Sequence, residues 1–206
     1  MNKKGFELSA SFIITLILVI VIFIGSIYFV KEFFFKAEEM KIEIERSTQE
    51  QIESLLQGGS LVAIPINVKE LKTGTTGIFG LGVRNVGETK GFKAVVSFSK
   101  AINDFGEVLF DESYSEYINN NWILYDSSEF FLDSNKLKTV PIAVNPDSRV
   151  SESESTIPGT YLFNVCVFVD SGVAGETDCS VDAFKYSPDK SKYYTKKMYS
   201  LMVKVK

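Results

Sequence analysis

Thr160 to Val169 reads TYLFNVCVFV, and β-branched, aromatic and aliphatic residues fill it with neither Gly nor Pro. That composition over this length reads as a strong β-strand. Just beyond it, Cys166 and Cys179 flank Val167 to Asp178, with Gly172 and Gly175 in the middle. If Gly172 and Val173 head a hairpin, antiparallel pairing sets Cys166 opposite Cys179, close enough for a cross-strand disulfide. Closing such a loop could add up to about 3 kcal/mol of stability. Disulfides persist in oxidising compartments. Two buried free thiols are the alternative.

Outward from this strand the same patterning recurs. Leu61 to Leu71 and Ile78 to Val86 are strand-like. Phe92 to Phe98 (FKAVVSF) places Phe92, Ala94, Val96 and Phe98 on one face. Turn signals fall at 73–77 (TGTTG), Val86-Gly87-Glu88 and Asn103-Asp104-Phe105-Gly106. Asn119-Asn120-Asn121 is a further break, before Trp122 to Tyr125. Phe130 to Leu132, Lys136 to Val144, Ala183 to Tyr186 and Tyr199 to Val205 continue the series. Pro146 to Pro158 is polar and rich in Ser and Glu, so it is expected to be an exposed loop that could meet a ligand or partner. Short strands at intervals of roughly ten residues, with no later helix, predict an all-β immunoglobulin-like sandwich over 60–206. That length is enough for one core.

The N-terminal part reads differently. Leu8 to Val30 (LSASFIITLILVIVIFIGSIYFV) holds no charged residue. As a helix it would cover roughly 34 Å, against about 30 Å of bilayer hydrocarbon. Lys31 to Gln57 lacks Gly and Pro and is rich in Glu and Lys. Phe33, Ala37, Met40, Ile44, Gln51 and Leu55 mark one helical face, and Gly58-Gly59 ends the pattern as a C-terminal cap. The expected fold class is therefore α+β: a long N-terminal transmembrane and stalk helix, then an all-β sandwich tethered through it.

Lys3-Lys4-Gly5-Phe6 precedes the apolar run. Basic residues, Gly, then an aromatic residue opening a long apolar helix resemble the processing site of archaeal type IV pilin-like proteins with class III signal peptides. The resemblance covers the first thirty residues or so. It implies a leader over 1–5, cleaved after Gly5 by a prepilin-peptidase-like protease, a helix over 6–57, and a β-domain on the cell surface with the N-terminus inside the cytoplasmic membrane. The family's Glu at the fifth mature position is absent, since Ala10 stands there. The implied function is a structural subunit of a pilus-like filament assembling through its helix, with Phe33, Ala37, Met40 and Ile44 as the assembly face. The alternative is a permanently anchored surface protein whose sandwich is a binding or adhesion module.

Composition narrows the chemistry. The chain has 206 residues, net charge −4 and no histidine. Without His, the commonest general base and metal ligand are missing, and no nucleophile motif stands out. An enzyme is not expected, nor a catalytic residue, cofactor or metal. The acidic balance gives no argument for nucleic acid. Asp170, Glu176 and Asp178 at the expected hairpin are acids that could hold calcium or simply line a solvated turn. Glu38, Glu39, Glu43 and Glu45 read as a solvated helix face. Gly80-Leu81-Gly82 lacks the strand–turn–helix setting of a nucleotide loop.

Overall fold

In a computed structural model, residues 16–21, 44, 46–170 and 177–206 are described. The chain forms two units, Met1–Ile42 and Glu43–Lys206. In the first, residues 16–21 are helical.

The second unit is a two-sheet sandwich. Its strands are β1 (Val62–Ala63), β2 (Val68–Leu71), β3 (Gly77–Arg84), β4 (Lys90–Ile102), β5 (Val108–Phe110), β6 (Ile123–Tyr125), β7 (Phe130–Leu132), β8 (Leu137–Val144), β9 (Gly159–Val169) and β10 (Tyr199–Val205). One sheet runs β1-β3-β8-β6. The other runs β2-β10-β9-β4-β5, with β7 also on β4. All pairs are antiparallel except β2 with β10. Leu61 to Leu71 splits into two short strands in different sheets, with Pro65 between them. A proline has no N–H for a ladder, so the chain crosses from one sheet to the other there.

The core lies between the sheets. Phe79, Leu81 and Val83 of β3 and Val140, Ile142 and Val144 of β8 meet Phe92, Ala94, Val96 and Phe98 of β4 and Tyr161, Phe163 and Val165 of β9. Burying each large apolar side chain is worth roughly 1.5–3 kcal/mol. β9 is buried on both faces from Phe163 to Val169. Its outward residues Cys166 and Phe168 form a second apolar cluster with Cys179 and Tyr193, joined by Val95, Phe184 and Met198. The segment after β9 thus covers the outer face of the larger sheet.

A helix at Arg46–Gln57 covers the smaller sheet. Thr48, Ile52 and Leu56 are its buried residues, one turn apart. They rest on β3 where it has no side chain. A Cβ at Gly82 would stand 2.3 Å from Ile52 Cγ2, and one at Gly80 would stand 2.6 Å from Ile52 Cδ1. The helix ends at Gly58-Gly59: the Gly58 N–H donates to the Ser54 carbonyl (2.9 Å) and Gly59 has φ 107°. Arg84 Nη1 donates to the Leu56 carbonyl at 2.7 Å, which also accepts from the Gly59 N–H at 3.3 Å.

Several expectations are corrected. The fold is mainly β with short helices, rather than α+β with a long N-terminal helix. Among the described residues no helix is long and apolar enough to cross a membrane. The membrane-anchored placement falls with the long helix; the rest of the apolar run lies outside the described residues. The helix face at Arg46–Gln57 is Thr48-Ile52-Leu56 and not Gln51-Leu55, because the bare strip of β3 admits the Ile52 side. Asn119-Asn120-Asn121 lies within a helix, Ser115–Trp122, and Ala183 to Tyr186 begins in a helix, Val181–Lys185. Cys179 stands in coil before that second helix, so no strand faces Cys166 across a hairpin.

Candidate functional site

The expected Ser- and Glu-rich loop, Pro146 to Pro158, sits at the end of the sandwich where β9 begins. It is held from four sides. Val150 is fully buried in the main core. Trp122 Nε1 donates to the Arg149 carbonyl at 2.9 Å. Tyr161 Oη donates to the Ile157 carbonyl at 2.8 Å. Within the loop, the Val150 N–H donates to the Glu154 carbonyl (3.0 Å), the Thr156 N–H to the Ser148 carbonyl (2.9 Å), and Thr156 Oγ1 to the Asp147 carbonyl (2.6 Å). A β-bridge joins Arg149 to Ser155. The polar tip is therefore fixed on an apolar root.

The helix Ser115–Trp122 forms the facing wall. Ile118 and Trp122 bury into the core. Asn119 spans to the edge of β4: the Phe98 N–H donates to Asn119 Oδ1 at 2.7 Å, and Asn119 Nδ2 donates to Ser97 Oγ at 3.2 Å. A short 3-10 turn, Glu112–Tyr114, leads in, capped by Asp111, which accepts from the Ser113 N–H at 3.0 Å. The bonds from Ser113 hold the Asp111 carboxyl below its usual range.

Between wall and loop is a groove of about 560 Å³. Tyr114, Tyr117, Asn120 and Asn121 line one side, and Ser151 and Glu152 the other. Tyr114 and Tyr117 are half-buried, while Asn120, Asn121 and Glu152 are exposed. A hydrogen bond with Glu154 raises the Tyr114 hydroxyl above its ordinary value, with burial adding to it. Two tyrosine rings, the exposed Asn120 amide, hydroxyls and carboxylates make a surface suited to hydrogen bonding and ring stacking, while Asn121 Nδ2 already donates to the Tyr117 carbonyl at 2.8 Å.

The sequence-selected residues fall in several places. Cys166 and Cys179 are bonded, with Cα atoms 5.8 Å apart. Asp170 pairs with Lys90 at 3.1 Å, and Asp178 accepts from the Ser180 N–H at 2.8 Å; Glu176 is outside the described residues. Lys3, Lys4, Gly5, Phe6, Phe33, Ala37 and Met40 are outside them too. Ile44 is half-buried and lies over the chain's own sheet, its Cγ2 3.7 Å from where a Cβ on Gly80 would stand. The helical wall of the groove was missed. Tyr114, Ile118 and Trp122 recur every fourth residue, and that spacing was the available signal.

No family model matches the chain, and no curated protein does. Solved structures do resemble it. The ASH/PapD-like domain of human CEP192 shares 13% identity over 71% of this chain and 85% of that one, with a TM-score of 0.40. The class 5 fimbriae chaperone CfaA shares 12% over 69% and 54%, with a TM-score of 0.35. WR4, a C. elegans MSP family member, shares 14% over 71% and 96%, with a TM-score of 0.33. The mainly β fold of the described residues, with no helix among them long and apolar enough to cross a membrane, corrects the resemblance drawn from Lys3-Lys4-Gly5-Phe6, and with it the reading as a pilin.

Proposed function

We propose that this immunoglobulin-like β domain is a non-enzymatic binding module, and that the groove between Ser115–Trp122 and the Pro146–Pro158 loop takes a neutral, hydroxyl-rich ligand of the saccharide class. The observation that carries this reading is the combination of a loop fixed by Val150, Trp122 and Tyr161 with a rim left free to hydrogen-bond. A fixed rim loses little entropy on binding. Sugar rings offer C–H faces to Tyr114 and Tyr117, and hydroxyls to Asn120, Asn121 and Glu152. The surrounding carboxylates accept from hydroxyls and disfavour anionic ligands.

The test is a screen of neutral glycans with the full chain, followed by titration of any hit. Tyr117→Ala and Asn120→Ala are expected to weaken binding, by a factor of about 3–10 for each hydrogen bond lost. Circular dichroism should stay unchanged. Absence of any glycan ligand, or a ligand indifferent to both substitutions, overturns the reading.

A further inference from the structure

Lys185 to Lys197 reads KYSPDKSKYYTKK: five lysines and one acid in a chain whose net charge is −4. Asp178 and Asp182 stand before it, and the positive charge is gathered behind them. Among the described residues, none of the five lysines is in a salt bridge. Asp189 is spent on the local turn, where it accepts from the Ser191 N–H at 2.7 Å.

The segment is not loose. Tyr193 is fully buried against Phe168, with Phe184 edge-on to it. The Tyr194 N–H donates to the Val167 carbonyl (2.8 Å), and Tyr194 Oη donates to the Arg84 carbonyl (2.6 Å). Cys166–Cys179 ties its root to β9. Lys190 Nζ lies 4.7 Å from the Phe184 ring centre and Lys192 Nζ 5.3 Å from that of Tyr193, so these two ammonium groups rest on rings. Beside them is a cleft of about 510 Å³, with Lys196, Lys197, Thr195 and Tyr199 on one wall and Ser60 on the other. Thr195 and Tyr199 hydroxyls share a hydrogen bond at 3.0 Å.

From this arrangement we infer that the cleft and the lysine row beside it form a docking surface for an anionic polysaccharide, with a sulfate, phosphate or carboxylate group seated between Lys196 and Lys197. Charge and shape both point there. Lysines are point charges that need no planar partner. The rings here lie under lysines or in the apolar cluster, so single-stranded nucleic acid finds few faces on which to stack its bases. The surface is separate from the groove proposed above: Tyr199 of the cleft pairs with Val165, while the groove lies near Gly159, about 20 Å away along β9.

The test uses the full chain and heparin as the sulfated probe, with affinity followed between 0.05 and 0.2 M salt. Lys192→Gln/Lys196→Gln/Lys197→Gln should lose about tenfold or more at the low-salt end, and its plot of log K against log salt should be shallower by roughly two to three. The control Lys72→Gln/Lys100→Gln/Lys204→Gln removes equal charge elsewhere and should stay near wild type. Equal loss in both variants means attraction by overall charge and overturns the proposal. So does wild-type chain that fails to bind heparin, or that binds a single-stranded oligonucleotide or phosphatidylglycerol vesicles as tightly as heparin. The glycan titration at the groove should be unaffected by the lysine substitutions, so either proposal can fail alone.

Discussion

Gly82 carries a packing role that the linear sequence did not show. Gly80-Leu81-Gly82 has the look of a glycine-rich loop, and its setting in a strand ruled out nucleotide binding. What the glycines do instead is let the helix Arg46–Gln57 lie close to the sheet. A Cβ on Gly82 would meet Ile52 Cγ2 at 2.3 Å and Leu56 Cδ1 at 2.9 Å, and both side chains are fully buried. Gly82→Ala is therefore expected to destabilise the domain by about 1–3 kcal/mol in urea unfolding. Because the closest clash is with Ile52, Gly82→Ala in an Ile52→Ala background should cost less than in wild type. Additive costs would mean that Ile52 is not what the new methyl meets. The cysteines teach a related lesson. Two thiols in a chain of this length could be read as a pair, but Cys179 does not stand in the strand that the expected hairpin required, and the expected turn at Gly172-Val173 lies outside the described residues. Cys179 reaches Cys166 from coil, held where the Cys179 carbonyl accepts from Asn164 Nδ2 at 3.2 Å.

At the scale of elements, strands were legible and short helices were not. Alternation gave β4 and β10 close to their observed positions, since one face of each is buried in the core and the period of two follows from that, while β9, buried on both faces from Phe163 to Val169, was legible from its unbroken β-forming composition. Ser115–Trp122 escaped because Asn119-Asn120-Asn121 has the propensity of a break. Tertiary bonds override that propensity. β7 and β5 pair with the two ends of β4 and leave its middle open on that edge. Asn119 and Tyr125 fill the gap, with the Phe98 N–H donating to Asn119 Oδ1 and the Val96 N–H to Tyr125 Oη at 3.1 Å. Asn119→Ala leaves the Phe98 N–H without its acceptor and is expected to cost about 1–3 kcal/mol. Asn119→Asp keeps an oxygen at the position and should recover part of that loss. Chemical denaturation of the two variants decides it: equal destabilisation would show that the acceptor is not what matters. The wall of the saccharide groove depends on the same residue, so Asn119→Ala should also weaken any glycan bound there.

For the whole molecule, the two-sheet sandwich followed from strand count and spacing, whereas the reading of the N-terminal region did not survive comparison with the described structure. Net charge also concealed more than it revealed, because −4 averages a lysine-rich segment with a more acidic remainder. The domain keeps several tyrosine hydroxyls away from water, and this sets its response to alkali. Burial raises the hydroxyls of Tyr125, Tyr193 and Tyr194 above their usual value, and that of Tyr161, which is fully buried, to about 12. An acid whose folded value lies above its unfolded one, near 10 for tyrosine, binds its proton more tightly in the native state. The stability it contributes is complete below pH ~10 and is lost as pH rises toward the folded value. The melting temperature should therefore be level up to that point and then fall steeply. Tyr161→Phe loses the bond to the Ile157 carbonyl and should start below wild type at pH 8. It also loses one of the groups that titrate, so the gap between the two proteins should narrow between pH 10 and 12. Parallel curves over that interval would show that ionisation of Tyr161 does not drive the alkaline loss.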